Sequence, residues 1–184
     1  MKKTFISLIF VVAATCSCTS ASNKQGQEPV ESSQETVDSS LETESLSAED
    51  GIEAPDFTLN DINGKPLKLS SLRGKYVILD FWGSWCVWCI KGIPQMKEYY
   101  QKYAGKFEIL GIDCNDSEEK WKAAVAKYEL PWLHVYNTNN SGVLEQYKIE
   151  GFPTKIIVGP DGKIEKTIIG EDPAFYSLLD KLFQ

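Results

Sequence analysis

Runs of apolar residues alternate with amphipathic stretches along residues 54–184. Two predominantly apolar runs, 76–81 and 107–112, predict buried strands of the parallel type. Between these runs, apolar residues recur at three- and four-residue spacing, which predicts a helix over 86–103. The pattern therefore predicts a strand that leads directly into a helix, followed by a second strand.

The remaining helices are marked by their first residues. Asp116 with Glu119 resembles a capping pair, and the apolar positions that follow predict a helix that ends before Pro131. Asp172 is the expected cap of the last helix, with Pro173 at its first position.

Shorter segments complete the pattern. We predict strands at 57–60, 66–69, 133–136, 155–158 and 164–169, a helical turn at 70–73 and a short helix at 142–147. Alternating strands and helices that end in a hairpin predict an α/β fold, with a mixed central sheet, helices on both faces and an N-terminal hairpin extension.

The first 18 residues have the pattern of a targeting signal. Lys2 and Lys3 precede an apolar run at 5–14, which is too short to span a bilayer and therefore predicts a signal peptide. Cys18 follows a small residue, as in the cleavage site of bacterial lipoproteins, so Cys18 is the predicted lipidation site. Lipidation at Cys16 and an ordinary secretory signal are the alternatives.

Residues 19–53 form an acidic, Ser- and Glu-rich segment. Nine acidic residues stand against Lys24, so this segment carries a net charge of −8 and leaves about −1 for residues 54–184. Because it has few bulky apolar residues, we expect a disordered linker with a reach of about 30–35 Å. The acidity lies in the linker, and the folded domain has no basic excess, so we expect no nucleic-acid partner.

The candidate chemistry lies where the 76–81 strand passes into the helix. Cys86 and Cys89 fall on the first turn, where unpaired N–H groups and the helix dipole lower a thiol's pKa. Such a pair can cycle between dithiol and disulfide. Half of a zinc site is one alternative, although the chain has one histidine, His134, and no second pair of this kind. A purely structural disulfide is another.

The residues around the pair resemble a known family. The segment Asp80-Phe81-Trp82, then Trp85-Cys86-x-x-Cys89 and Pro94, is similar to the active-site segment of thioredoxin. Three further stretches, 54–59, 69–75 and 151–154, resemble the TlpA/ResA-type thiol–disulfide oxidoreductases, which are membrane-anchored. The resemblance covers 54–184 and implies a thioredoxin-like fold.

The resemblance also implies roles for three residues. Cys86, at the exposed end of the helix, would attack a substrate disulfide, and the shielded Cys89 would resolve the mixed disulfide. Asp80 would be a buried acid that exchanges protons with Cys89, since burial raises the pKa of a carboxyl group.

Cys114 is expected to be a buried apolar side chain, with a third redox thiol as the alternative.

A substrate-binding surface is expected around the pair. Pro153 resembles the cis-proline that faces the cysteines in this fold, and Phe152 before it is a candidate for substrate contact. Trp85, Val87 and Trp88 are expected on the surface that meets the substrate.

Two positions depart from the family. Many members have proline between the cysteines, where this chain has Val87-Trp88, so the reduction potential does not carry over. Many also have Glu three residues after the second cysteine, where this chain has Gly92. Asp80 would then transfer protons alone or with water.

Taken together, these features predict an oxidoreductase of the cell envelope, on the periplasmic side and attached to a membrane by a lipid. We expect it to reduce disulfides of client proteins with electrons from a membrane donor, without a metal or cofactor. A peroxiredoxin-like thiol peroxidase and a non-catalytic binding lipoprotein are the alternatives.

Overall fold

The computed structural model describes residues 50–184, so the predicted signal peptide and nearly all of the predicted linker lie outside the described residues. These residues form seven strands: β1 (Thr58–Asp61), β2 (Pro66–Lys68), β3 (Tyr76–Trp82), β4 (Phe107–Asp113), β5 (Leu133–Tyr136), β6 (Thr154–Val158) and β7 (Ile164–Ile169). They also form four α-helices and a 3-10 helix: α1 (Val87–Lys102), α2 (Glu118–Lys127), α3 (Val143–Gln146), α4 (Pro173–Phe183) and Leu69–Leu72. Within 50–184, no helix combines the length and the apolar character that a membrane crossing requires.

The strands form one mixed sheet in the order β2-β1-β5-β4-β3-β6-β7. The three central strands β5, β4 and β3 are parallel, and the pairings on either side of them are antiparallel. The predicted mixed sheet with an N-terminal hairpin is therefore confirmed, and each strand boundary lies within one residue of its predicted position.

The central strand β3 supplies side chains to two cores, because successive side chains of a strand point to opposite faces of the sheet. Val77, Leu79 and Phe81 pack on the face that carries α3. Ile78 and Trp82 pack on the opposite face, under α1, α2 and α4. The prediction of helices on both faces is confirmed.

Two helix starts show how local sequence fixes the boundaries. The Asp172 carboxylate accepts a hydrogen bond from Ala174 N–H at 2.8 Å, and Pro173 is the first residue of α4, as predicted. At α2, the cap is Ser117, whose Oγ accepts from Lys120 N–H at 3.4 Å. The prediction that Asp116 caps α2 was wrong, because its carboxylate binds a more distant part of the chain.

Residues 50–53 belong to the ordered structure, although the sequence placed them in the linker. Ile164 N–H donates to Ile52 C=O at 2.8 Å, and the Asp50 carboxylate lies 2.7 Å from Lys166 Nζ. Because these contacts pair the segment with β7, ordered structure extends at least to residue 50 and not only to residue 54.

Candidate active site

Cys86 and Cys89 form a disulfide at the start of α1. Cys86 is the N-cap residue, and its Sγ accepts a hydrogen bond from Cys89 N–H at 3.1 Å. After reduction, a thiolate at this position would be stabilised by the same N–H and by the positive end of the helix dipole. The arrangement therefore favours a nucleophilic thiolate on Cys86.

The exposure of the two cysteines does not separate them. We expected Cys86 to be exposed and Cys89 to be shielded, but the two residues are 5% and 7% exposed. The expectation for Cys86 was wrong, because both residues pack into the apolar cluster beneath α1. The difference between the two sulfur atoms is therefore one of hydrogen bonding and helix position.

The exposed surface around the pair is apolar. Trp85, Val87 and Trp88 are 49%, 63% and 60% exposed, although large apolar side chains are usually covered in a soluble domain. Lys91 Nζ lies 4.3 Å from the ring centroid of Trp88, which is a cation–π contact. The three side chains are therefore exposed, and their contact with a substrate stays a prediction.

The loop that contains Pro153 meets the cysteine loop through an aromatic pair. Phe152 and Trp85 are in edge-to-face contact, with ring centroids 5.3 Å apart. The Phe152–Pro153 peptide bond is cis, as the resemblance implied. The indole N–H of Trp85 also donates to Cys114 C=O at 2.9 Å, so two distant segments of the chain hold this ring.

Asp116 holds the residues just before Cys86. Its two carboxylate oxygens accept from Ser84 N–H at 2.6 Å and from Ser84 Oγ–H at 2.7 Å. Hydrogen bonds to an ionised group are stronger than neutral ones, so this contact orders the turn from which α1 begins. No local pattern in the sequence indicates this contact, because the two residues are 32 positions apart.

Asp80 lies on the buried face beneath α1. Alternation along β3 places it on the same face as Ile78 and Trp82, and it is only 9% exposed. Among the described residues, its Oδ1 has no hydrogen-bond partner. Burial raises the pKa of this carboxyl group above its ordinary value of 3.8, the charge of Lys155 opposes the rise, and the charge of Glu171 adds to it. A buried carboxyl group with a raised pKa is suited to general acid/base work.

Three residues that the sequence analysis did not single out accompany Asp80. Lys155 is its cross-strand partner on β6, and Lys155 Nζ lies 2.9 Å from Glu171 Oε2. The Tyr176 hydroxyl donates to the other oxygen of Glu171 at 2.8 Å. The sequence did contain one indication of this cluster. Lys155 lies within the largely apolar segment 154–158, and a charged residue in a buried strand needs a partner.

Comparison with known proteins gives a consistent result. The AhpC/TSA family model matches residues 51–167. Thiol-disulfide oxidoreductase ResA of a Bacillus cereus strain is 38% identical over 122 residues, which cover 66% of this chain and 70% of that protein. The protein of the same name from Bacillus subtilis (strain 168) is 34% identical over 125 residues, covering 67% and 69% of the two chains. This chain belongs to the AhpC/TSA family and to the ResA-type thiol-disulfide oxidoreductases.

Solved structures agree with this membership. The thioredoxin domain of a thiol-disulfide oxidoreductase from Bacteroides vulgatus has a TM-score of 0.68 and 34% identity, covering 74% of this chain and 99% of that one. A thiol:disulfide interchange protein from Bacteroides sp. has a TM-score of 0.68 and 33% identity, covering 75% and 92%. The thioredoxin-like fold of this ResA-type chain is therefore established.

Two further titratable residues lie on the central strands, Asp113 on β4 and His134 on β5. Burial and the charge of Asp116 raise the pKa of Asp113 to about 8. Burial lowers the pKa of His134 to about 4, so the imidazole, which lies between Trp82 and Trp132, is neutral at physiological pH. Between residues 50 and 184 there is no group of three or more potential ligand side chains that could hold a metal ion.

Cys114 is wholly buried in the core on the face of the sheet opposite α1. Burial raises the pKa of its thiol, and its Sγ lies 3.4 Å from Ile112 C=O. In this ResA-type chain Cys114 therefore packs as a small apolar side chain, in line with the first of the two interpretations from the sequence.

Proposed function

We propose that this ResA-type protein exchanges disulfides with client proteins through Cys86 and Cys89, with Asp80 as the acid/base. The observation that carries the proposal is the cysteine pair at the first turn of α1, on the side of the sheet to which β3 presents Asp80, a buried carboxyl group whose pKa is raised. Together these groups supply a nucleophile, a resolving thiol and a proton acceptor.

The exchange proceeds in two steps. The Cys86 thiolate attacks one sulfur of a client disulfide, so that a Cys86–client disulfide forms and the other client sulfur leaves as a thiolate. Cys89 then gives its proton to the Asp80 carboxylate and attacks Cys86 Sγ, which releases the second client thiolate. Two electrons pass to the client, and the protein becomes the Cys86–Cys89 disulfide. The same steps in reverse would oxidise a client dithiol.

Client contact is proposed for the exposed side chains of Trp85, Val87 and Trp88 and for the adjoining loop, in which Phe152 is half-buried and Pro153 is buried. Exposed aromatic side chains support such a role, because they give a large contact area at a small loss of side-chain entropy. The contact between Trp85 and Phe152 joins the two loops into one surface beside the disulfide.

We propose that the protein works on the periplasmic side of the cell envelope as a reductant. The apolar run at 5–14 and Cys18 support export and lipid attachment, and the acidic segment 19–53 would let the domain reach its partners. An oxidising compartment keeps an unassisted cysteine pair as a disulfide, so a membrane electron donor would have to regenerate the dithiol.

The activity is tested by catalysed reduction of insulin disulfides with dithiothreitol, measured alongside consumption of hydrogen peroxide. We expect insulin reduction well above the uncatalysed rate and no peroxide consumption above that of the Cys86→Ser variant. Catalysed peroxide consumption without insulin reduction would support a thiol peroxidase, and absence of both activities would support a binding lipoprotein.

The Cys18→Ala variant is expected to move from the membrane fraction to the soluble fraction, because the proposed lipid attachment is lost. Insulin reduction by the variant should stay at the wild-type rate, since the altered residue lies outside the domain that carries the pair. Fractionation followed by immunoblotting measures the distribution. The matched control is Cys16→Ala, which should remain in the membrane fraction. Retention of Cys18→Ala together with release of Cys16→Ala would move the attachment to Cys16.

A further inference from the structure

Gly92 lies on the buried face of α1, one turn after Cys89. A Cβ atom added to Gly92 would lie 2.5 Å from Glu171 Cδ and 2.7 Å from Glu171 Oε1. Neither separation is compatible with ordinary van der Waals contact, so the Glu171 carboxylate occupies the space that a side chain at position 92 would fill. A carboxylate from the segment between β7 and α4 is thereby held against the helix turn that carries Cys89.

The carboxylate is fixed by two partners. The Lys155 side chain is 3% exposed and the Glu171 side chain is 17% exposed, so their ion pair of 2.9 Å is largely screened from water. Tyr176 donates a hydrogen bond to the second carboxylate oxygen at 2.8 Å. Burying an ion pair carries a desolvation cost that a well-packed apolar pair would avoid. Stability alone is therefore a weak explanation for the pair of Lys155 and Glu171.

The ion pair bears on Asp80 with two opposite charges. Lys155 favours the ionised form of the Asp80 carboxyl group, whereas Glu171 favours the protonated form. Removing the charge of Glu171 leaves Lys155 unopposed, and removing the charge of Lys155 leaves Glu171 unopposed. The two changes must therefore act on the protonation of Asp80 in opposite directions.

We propose that Glu171 is a positioning residue for disulfide exchange, which acts with Lys155 to set the charge around Asp80 at the face of α1 that carries Cys89. The proposal rests on the proposed roles of Asp80 and Cys89. Besides these groups, the Tyr176 hydroxyl on α4 contacts Glu171, and the charge of Asp80 acts on the Cys114 thiol that follows β4. Burial raises the pKa of both groups, so they stay neutral over the pH range of the test.

The first test compares Glu171→Gln with Lys155→Met in the full-length chain, with Cys16 and Cys18 replaced by alanine in every variant. The reduced protein is mixed with the aromatic disulfide DTNB. The first coloured thiolate is released when Cys86 attacks, and the second is released when Cys89 resolves the adduct. The rate of the second phase is measured against pH and should rise as Asp80 ionises, because only the carboxylate accepts the Cys89 proton.

We expect Glu171→Gln to move this rise to lower pH and Lys155→Met to move it to higher pH, each by about one pH unit, the low end of what a neighbouring charge produces. The rate of the first phase should stay within a few-fold of the wild type. Shifts in the same direction, or no shift in Glu171→Gln, would overturn the proposal.

The second test moves the carboxylate from the loop to the helix. Gly92→Asp would carry a carboxyl group one bond from the Cβ position that Glu171 now occupies, so we expect the single variant to be disturbed by the clash. Combined with Glu171→Ala, it should return the pH profile toward that of the wild type, because a carboxylate again faces Lys155. The matched control, Gly92→Ala with Glu171→Ala, fills space without charge and should keep the shifted profile. Equal rescue by this control, or no rescue by the aspartate, would contradict the proposal.

The Asp80→Asn variant separates this proposal from the proposed function. If Asp80→Asn leaves the second phase and its pH profile unchanged, the role of Asp80 fails and the role of Glu171 fails with it. If Asp80→Asn abolishes the pH-dependent rise while Glu171→Gln does not shift it, only the role of Glu171 is overturned.

Discussion

Replacing Cys89 with serine is expected to trap client proteins as covalent adducts on Cys86. The Cys86 thiolate keeps its helix position and the N–H of residue 89, so attack on a client disulfide continues, whereas the resolving thiol is gone. Catalysed insulin reduction should fall to the uncatalysed rate. In extracts that contain exported proteins, non-reducing gels should show adducts of high mass that disappear with dithiothreitol.

The matched control is Cys86→Ser, which should lose insulin reduction equally but form no adducts. The comparison is informative because the two cysteines are almost equally buried, so accessibility alone does not assign the nucleophile. The assignment depends on the N-cap position of Cys86 and the hydrogen bond to its Sγ. If Cys86→Ser trapped clients as well as Cys89→Ser does, the two roles would have to be exchanged.

The features that the sequence predicted well are those that depend on local pattern. The short apolar run at 76–81 is typical of a strand that is covered on both faces, and β3 does lie in the sheet interior between β4 and β6. The spacing of Cys86 and Cys89 at a strand-to-helix junction predicted a reactive pair at the start of a helix, and the structure has a disulfide there. The family motifs predicted that Asp80 and the Pro153 loop lie close together, and Asp80 is the cross-strand partner of Lys155, two residues after Pro153.

The features that the sequence did not predict depend on contacts between distant segments. By local pattern, Asp116 fits the N-cap position of α2 as well as Ser117 does. In the structure, two hydrogen bonds join the Asp116 carboxylate to Ser84, and Ser117 is the N-cap residue. Gly92 indicated a missing carboxylate, and nothing near it in the sequence showed that Glu171 fills the space. A local pattern shows which side chains a segment contains, but the packing of the sheet and helices determines which residues those side chains contact.

The Asp80→Asn variant is expected to slow the resolution step by about 10²-fold near neutral pH, the lower end of what a positioned acid/base contributes. Asparagine has nearly the same shape but cannot accept the Cys89 proton. The attack by Cys86 should change little, because the helix terminus stabilises its thiolate and no proton acceptor is needed. The two phases of the DTNB reaction measure the two steps separately. Unchanged rates in both phases would make Asp80 a structural residue and leave the proton to water.

The same variant also has an expected effect on stability. The folded-state pKa of Asp80 is raised above the ordinary value of 3.8, so ionising this group disfavours the folded state. Relative to Asp80→Asn, the wild type should therefore lose stability as the pH rises above 3.8, until Asp80 is ionised in the folded protein as well. Below that pH the two proteins should differ little, since the carboxyl group is neutral in both the folded and the unfolded chain. Denaturant unfolding across this range measures the difference. A variant that resolves slowly and gains stability on the alkaline side would show that Asp80 serves as the proton acceptor at a cost in folding free energy. A variant that loses stability there would show instead that Asp80 is ionised in the folded protein and held by Lys155.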